Sequence, residues 1–122
     1  MSHTIQCKVK CDNGDALHSA CKILGIAKPV RGRHRLFDGN VVNGLAFRLK
    51  DWLYDVVVDS SGTLHYDNYN ERWGKTEELD TFLQRYALEA AKAAATSNGY
   101  EYDEYTQPDG SIELVCKEVF NG

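Results

Sequence analysis

A chain of 122 residues fits one domain and is long enough to bury a core. Its 43% hydrophobic content and two prolines exclude a disordered chain. No apolar run reaches the ~18–20 residues that cross a bilayer. Met1-Ser2-His3-Thr4-Ile5-Gln6 lacks the apolar centre of a signal peptide, so a cytoplasmic protein with no membrane partner is expected.

Thr4–Lys10 alternates, with Ile5, Cys7 and Val9 on one side, as a half-buried strand does. Asp12-Asn13-Gly14 breaks the strand and supplies a helix cap. Ala16, Leu17, Ala20, Cys21 and Leu24 then form the stripe of a short helix ending at Gly25. Pro29 opens a second strand, Val30–Phe37, which turns at Asp38-Gly39. Leu45, Phe47 and Leu49 mark a third strand. Tyr54, Val56 and Val58 mark a fourth, closed by Asp59-Ser60-Ser61-Gly62, and Leu64, Tyr66 and Asn68 a fifth.

A longer helix follows, capped by Thr76, with Glu77 and Glu78 at its positive end. Leu79, Phe82, Leu83, Tyr86, Ala90, Ala91 and Ala94 give its apolar stripe, and Asn98-Gly99 stops it. The last hairpin runs from Tyr100 to Tyr105, turns at Pro108-Asp109-Gly110 and returns through Ile112–Val119. Residues 1–122 therefore read as a single α+β domain of order β-α-β-β-β-β-α-β-β. Its sheet is antiparallel, with two helices packed on one face.

The net charge of −4 conceals a division. Residues 1–50 hold nine Lys/Arg and three acids, a balance of +6; residues 51–122 hold five Lys/Arg and fifteen acids, a balance of −10. The two halves either pair inside the domain or remain as a basic and an acidic surface. In a domain this small, internal pairing is the simpler expectation.

Cys7, Cys21 and Cys116 fall on apolar faces, which points to buried reduced thiols. Cys7 and Cys11 are four residues apart on a strand, roughly 13 Å, and no C-x-x-C pair occurs, so no metal site is expected.

Several stretches then stand in a recognisable order. They are Met1-Ser2-His3; Leu17…Ala20…Leu24-Gly25; Arg48-Leu49-Lys50 with Tyr54-Asp55; Trp73-Gly74; Phe82…Gln84-Arg85-Tyr86-Ala87; and Asp109-Gly110-Ser111-Ile112. Together they resemble the small family known as hypothetical chloroplast open reading frame thirty-five, of cyanobacteria, some plastids and assorted bacteria. Arg31-Gly32-Arg33-His34-Arg35 and the short Asp59–Gly62 turn depart from it. The resemblance implies a domain of unassigned function, without catalytic residues to carry over, in the cytoplasm or, if organelle-encoded, the plastid stroma. Relatives are often encoded beside a ferredoxin-like protein and an ATPase of the AAA type, which implies an accessory role.

The most distinctive chemistry is Lys28-Pro29-Val30-Arg31-Gly32-Arg33-His34-Arg35. On a strand, Arg31, Arg33 and Arg35 project from one face at about 7 Å intervals while Val30, His34 and Leu36 face the core. Three guanidinium groups in a row suit clustered carboxylates or phosphate; solvated charges guarding a sheet edge, or arginines paired internally, are the simpler account. The acidic chain and the absence of a basic-aromatic groove argue against a nucleic-acid partner.

Trp52, Tyr54, Tyr66, Tyr69, Trp73, Tyr86, Tyr100, Tyr102 and Tyr105 make the chain rich in aromatics. Most are expected in the core, with Trp73-Gly74 at the start of the long helix a structural junction. His3, His18, His34 and His65 are scattered, although His34 and His65 could meet across strands, and Asp55, Asp59 and Asp67 could cluster. No nucleophile elbow, phosphate-binding loop or metalloprotease motif is present, so no catalytic residue is nominated.

The expected function is a non-catalytic accessory or binding module acting through a protein partner, with no cofactor. The alternative is capture of a phosphorylated metabolite or nucleotide through an arginine-lined face, and an enzyme is third. Binding is assigned to Arg31, Arg33, Arg35, Arg48, Tyr54 and Trp73.

Overall fold

The structure, a computed structural model, describes residues 10–36, 39–66 and 74–118, and the backbone alone of residues 5–7. Expectations placed on His3, Thr4, Lys8, Val9, Phe37, Asp38, Asp67, Asn68, Tyr69, Trp73 and Val119 lie outside the described residues.

The α+β class and the order of elements are as expected. They are β1 (Ile5–Cys7), α1 (Gly14–Ile23), β2 (Val30–Arg35), β3 (Val41–Phe47), β4 (Val56–Asp59), β5 (Leu64–Tyr66), α2 (Thr76–Ser97), β6 (Tyr100–Thr106) and β7 (Ile112–Glu118). Five strands form an antiparallel sheet ordered β1-β5-β4-β3-β2, and β6 and β7 form a separate two-stranded ribbon. The ribbon starts directly at the turn that ends α2 and packs beside that helix, not in the sheet.

Asn13 caps α1 as its sequence requires, its side-chain oxygen accepting the Ala16 amide at 3.0 Å. Ala16, Leu17, Ala20 and Cys21 are buried, while Leu24 ends the helix at the surface. In α2, Lys75 stands at the cap position without a side-chain bond to the helix, and Thr76 is the first helical residue, so the helix starts one residue earlier than expected.

Its buried stripe begins as predicted with Leu79, Phe82 and Tyr86. It then passes through Leu88 and Ala95, leaving Ala91 and Ala94 exposed. The shift arises because the far half of the helix faces the ribbon, where Arg85, Glu89 and Lys92 meet Glu104 of β6.

Cross-strand register sets the sheet's two faces. Leu45 stands opposite Val58, Phe47 opposite Val56, and Val58 opposite Leu64. This face, with Leu49, Trp52 and Tyr66, packs against Leu17, Ala20 and Cys21 of α1 and Leu79, Phe82 and Tyr86 of α2. Phe47 and Phe82 stack with ring centroids 4.4 Å apart. Buried side chains of this size each contribute about 1.5–3 kcal/mol. The Tyr86 hydroxyl accepts the Asn13 amide at 3.1 Å, tying the middle of α2 to the start of α1. The opposite face carries a smaller cluster of Leu36, Ala46 and Val57 with Val42.

Cysteine placement differs from expectation at Cys116, and the expectation on the Cys7 side chain lies outside the described residues. Cys11 is buried in the main core, whereas Cys116 is exposed because the ribbon has no second layer over that part of β7. Cys21 is fully buried, and burial pushes its thiol up to about 11.

Gly74 is needed for a reason the sequence does not display. A Cβ there would collide with the ring of Trp52, which is 4% exposed, donates Nε1–H to the Lys75 carbonyl at 3.2 Å and meets Tyr66 edge-on. Trp52→Ala should lower the unfolding free energy by about 3–5 kcal/mol, and Gly74→Ala should also lower it, both read from urea denaturation. A wild-type midpoint in Gly74→Ala would show that the ring has room to move.

Candidate functional site

β2 is the end strand of the sheet and pairs only with β3 among the described strands. Arg31 stands opposite Leu45, Arg33 opposite Asn43 and Arg35 opposite Val41, so the three arginines share the face on which the helices lie. No residue of β2 enters the helix-covered core, whose sheet members come from β3, β4, β5 and the loop after β3. The arginines therefore sit beside the helices, not beneath them. All three are exposed, and among the described residues none has a side-chain hydrogen bond or ion pair.

The other side of β2 departs from expectation. Leu36 is buried and His34 half-buried, but Val30 is 59% exposed. The principal core lies on the arginine side of the sheet, and the cluster around Leu36 is too small to reach Val30. His34 folds back over Gly32 and its Nε2 meets the Val30 carbonyl at 3.0 Å, so the space beside the glycine holds imidazole.

Two depressions flank the strand. One of about 490 Å³ lies between the start of α1 and strands β2–β4, and Arg31, Arg33, Asn43, Asp12 and Asp59 are among its lining residues. Its two arginines are offset by two carboxylates, a balance that does not favour phosphate. The other, about 210 Å³, brings together Arg33, His34, Arg35, Arg48, Tyr54 and Asp55. Four of the six residues nominated from sequence thus line one depression. Arg48 is already engaged, donating Nε–H to Asp55 at 2.9 Å, and Tyr54 sits in the loop before β4, not in the strand. Trp73 lies outside the described residues.

The acidic half of the chain does not neutralise β2. Glu104 binds Arg85 at 2.9 Å and Lys92 at 2.7 Å, Glu89 joins the same two cations, and Asp103 approaches Lys117 at 3.7 Å. Arg48–Asp55 is the pair that joins the two halves among the described residues. The internal pairing that the domain's size favoured is thus mostly confined to the acidic half, and the charge division reaches the surface.

His34 and His65 do not meet. Their strands are separated by β3 and β4, roughly 14 Å. Asp55 and Asp59 also stay apart, at opposite ends of β4.

Asp59 instead organises the β4–β5 turn. Its carboxylate accepts the Ser61 amide, the Ser61 hydroxyl, the Thr63 amide and Nε2–H of His65, all between 2.6 and 3.0 Å. Partial burial works against its charge, but the bonds from Ser61, His65 and Thr63 prevail and hold its pKa well below the usual carboxylate range. Nucleophilic catalysis by the triad mechanism needs the serine hydroxyl on the imidazole. Here both bind the carboxylate, an arrangement that fixes a turn.

Sequence reasoning found the last hairpin but not its separation from the main sheet. Most of the aromatics are expected in the core, and Tyr100, Tyr102 and Tyr105 are among the exceptions, at 42%, 41% and 52% exposed. The alternation of acids and tyrosines through Tyr100–Tyr105 was the available signal.

No family model matches the chain, and neither a curated protein nor a solved structure matches it. No helix among the described residues is long and apolar enough to cross a membrane.

Because the Asp59 pKa is depressed on folding, its bonds stabilise the fold at pH values above the ordinary aspartate pKa of 3.8, and that contribution fades as pH falls through the folded value. Asp59→Asn should therefore lower stability by about 1–3 kcal/mol at neutral pH. The gap to wild type should narrow as the solution is acidified, as read by denaturant unfolding across pH. A gap independent of pH would place the effect elsewhere.

Proposed function

We propose that this domain is a non-catalytic binding module that acts through a protein partner, docking an acidic extended segment along β2. One observation carries the reading: Arg31, Arg33 and Arg35 stand exposed on the end strand of the sheet, their side chains without partners among the described residues. An end strand offers unpaired backbone amides and carbonyls to an added strand, and alternate side chains of that strand then meet the arginine row. Guanidinium groups favour carboxylates in bidentate geometry, so an acidic segment suits the row better than an apolar one. An accessory role is also what the family resemblance implies. A cytoplasmic setting suits the buried Cys21 thiol.

A second reading, capture of a phosphorylated small molecule, draws on the depression of about 210 Å³ that Arg33, Arg35, Arg48 and Tyr54 help to line. Its volume is below that of most small-molecule sites, roughly 300–1,000 Å³, which ranks it second.

The test is fluorescence anisotropy with a labelled oligoglutamate peptide. Wild type should bind it and release it at high ionic strength. Arg31→Glu/Arg33→Glu should keep the wild-type melting temperature and lose binding at least tenfold. Binding of inorganic pyrophosphate but not of the peptide would select the small-ligand reading. Unfolding of the double variant would show that the arginines support the fold and would remove the site.

A further inference from the structure

The ribbon supplies a segment of the kind that β2 would take. In β6, Glu101, Asp103 and Tyr105 alternate on one face, opposite Lys117, Val115 and Glu113 of β7. The other face carries Glu104, which binds Arg85 and Lys92 of α2, and Tyr102, whose ring lies 5.6 Å from the Lys92 ammonium. Glu101, Asp103 and Tyr105 thus occupy the face turned away from α2, and all seven residues of β6 are exposed. Asp103 has a long contact to an exposed Lys117, and the side chains of Glu101 and Tyr105 have no hydrogen bond or ion pair among the described residues. A lone two-stranded ribbon is marginal in water, so extension by further strands stabilises it.

We propose that β6 of one copy adds antiparallel to the open edge of β2 of another. With Asp103 opposite Arg33, Glu101 meets Arg35 and Tyr105 meets Arg31, because antiparallel partners step in opposite directions along the two strands. The repeats match, since alternate side chains recur about every 7 Å on both strands. The first two pairs join carboxylate to guanidinium, and the third sets a guanidinium against a tyrosine ring. The added strand would extend the sheet to β1-β5-β4-β3-β2-β6-β7, the last two from the second copy. Each copy carries one arginine edge and one acidic edge, so the contact is heterologous unless two copies exchange reciprocally. Arginines on an edge strand repel a second β2, but they do not repel β6.

This proposal rests on β2 being a site for acidic segments and names the segment as the chain's own. Sedimentation velocity over a concentration series at low ionic strength tests it with four samples. Wild type should sediment as an assembly that grows with concentration and dissociates in high salt. Glu101→Lys/Asp103→Lys should be monomeric, and so should Arg33→Glu/Arg35→Glu. Mixing the two variants should restore assembly, because each then finds its complement on the other. A monomeric wild type that binds oligoglutamate would overturn self-association and leave the binding module standing. A monomer that binds no oligoglutamate would overturn both. Variants that assemble as wild type does would overturn the strand pairing.

Discussion

The stacking of Phe82 on Phe47 is the contact from which the rest of the architecture follows. It lays α2 against the inner strands, and the Tyr86 hydroxyl, reaching the Asn13 amide, then sets the start of α1 beside it. Two helices so placed draw the apolar side chains of β3, β4 and β5 into one core. β2 contributes nothing to that core, so its sequence is released from apolar alternation on the helix side. Arginine at every second position is compatible with the fold because none of the described residues covers it.

The local features of the chain were legible because they depend on neighbours in sequence. Asn13 followed by the stripe from Ala16 to Cys21 dictates α1, and the alternation through Leu45 and Phe47 dictates which side of β3 is buried. What was illegible depends on residues far apart. Gly74 owes its identity to Trp52, a relation that no window of sequence contains. Cys116 alternates with Ile112 and Leu114 as a buried residue would, but burial needs a covering layer, which the ribbon lacks there. Arg31, Arg33 and Arg35 were correctly placed on one face, yet their lack of partners could be known only once Glu89 and Glu104 were seen to be taken by Arg85 and Lys92.

Carboxylates serve two structural purposes here. Asp59 and Asp109 each accept the amide and hydroxyl of the serine two residues on, locking the turns after β4 and before β7 with the same geometry. Glu104 acts over a longer range, holding β6 to α2 through two cations; Lys92 and Arg85 lower its pKa. These roles leave Glu101 at liberty on the ribbon's outer face, as the absence of carboxylate partners leaves the arginines at liberty on β2.

The ribbon's attachment gives the molecule two levels of protection against hydrogen exchange. The amides of β3 and β4 lie behind the core and are shielded until the whole domain opens. Those linking β6 to β7 are sheltered by a smaller unit, held to α2 in part through Glu104, so they exchange through a local detachment of the ribbon. Salt weakens that ionic clasp while leaving apolar packing intact. Rising ionic strength therefore separates the two sets of exchange rates, and a protease would find the chain first between Tyr100 and Glu118.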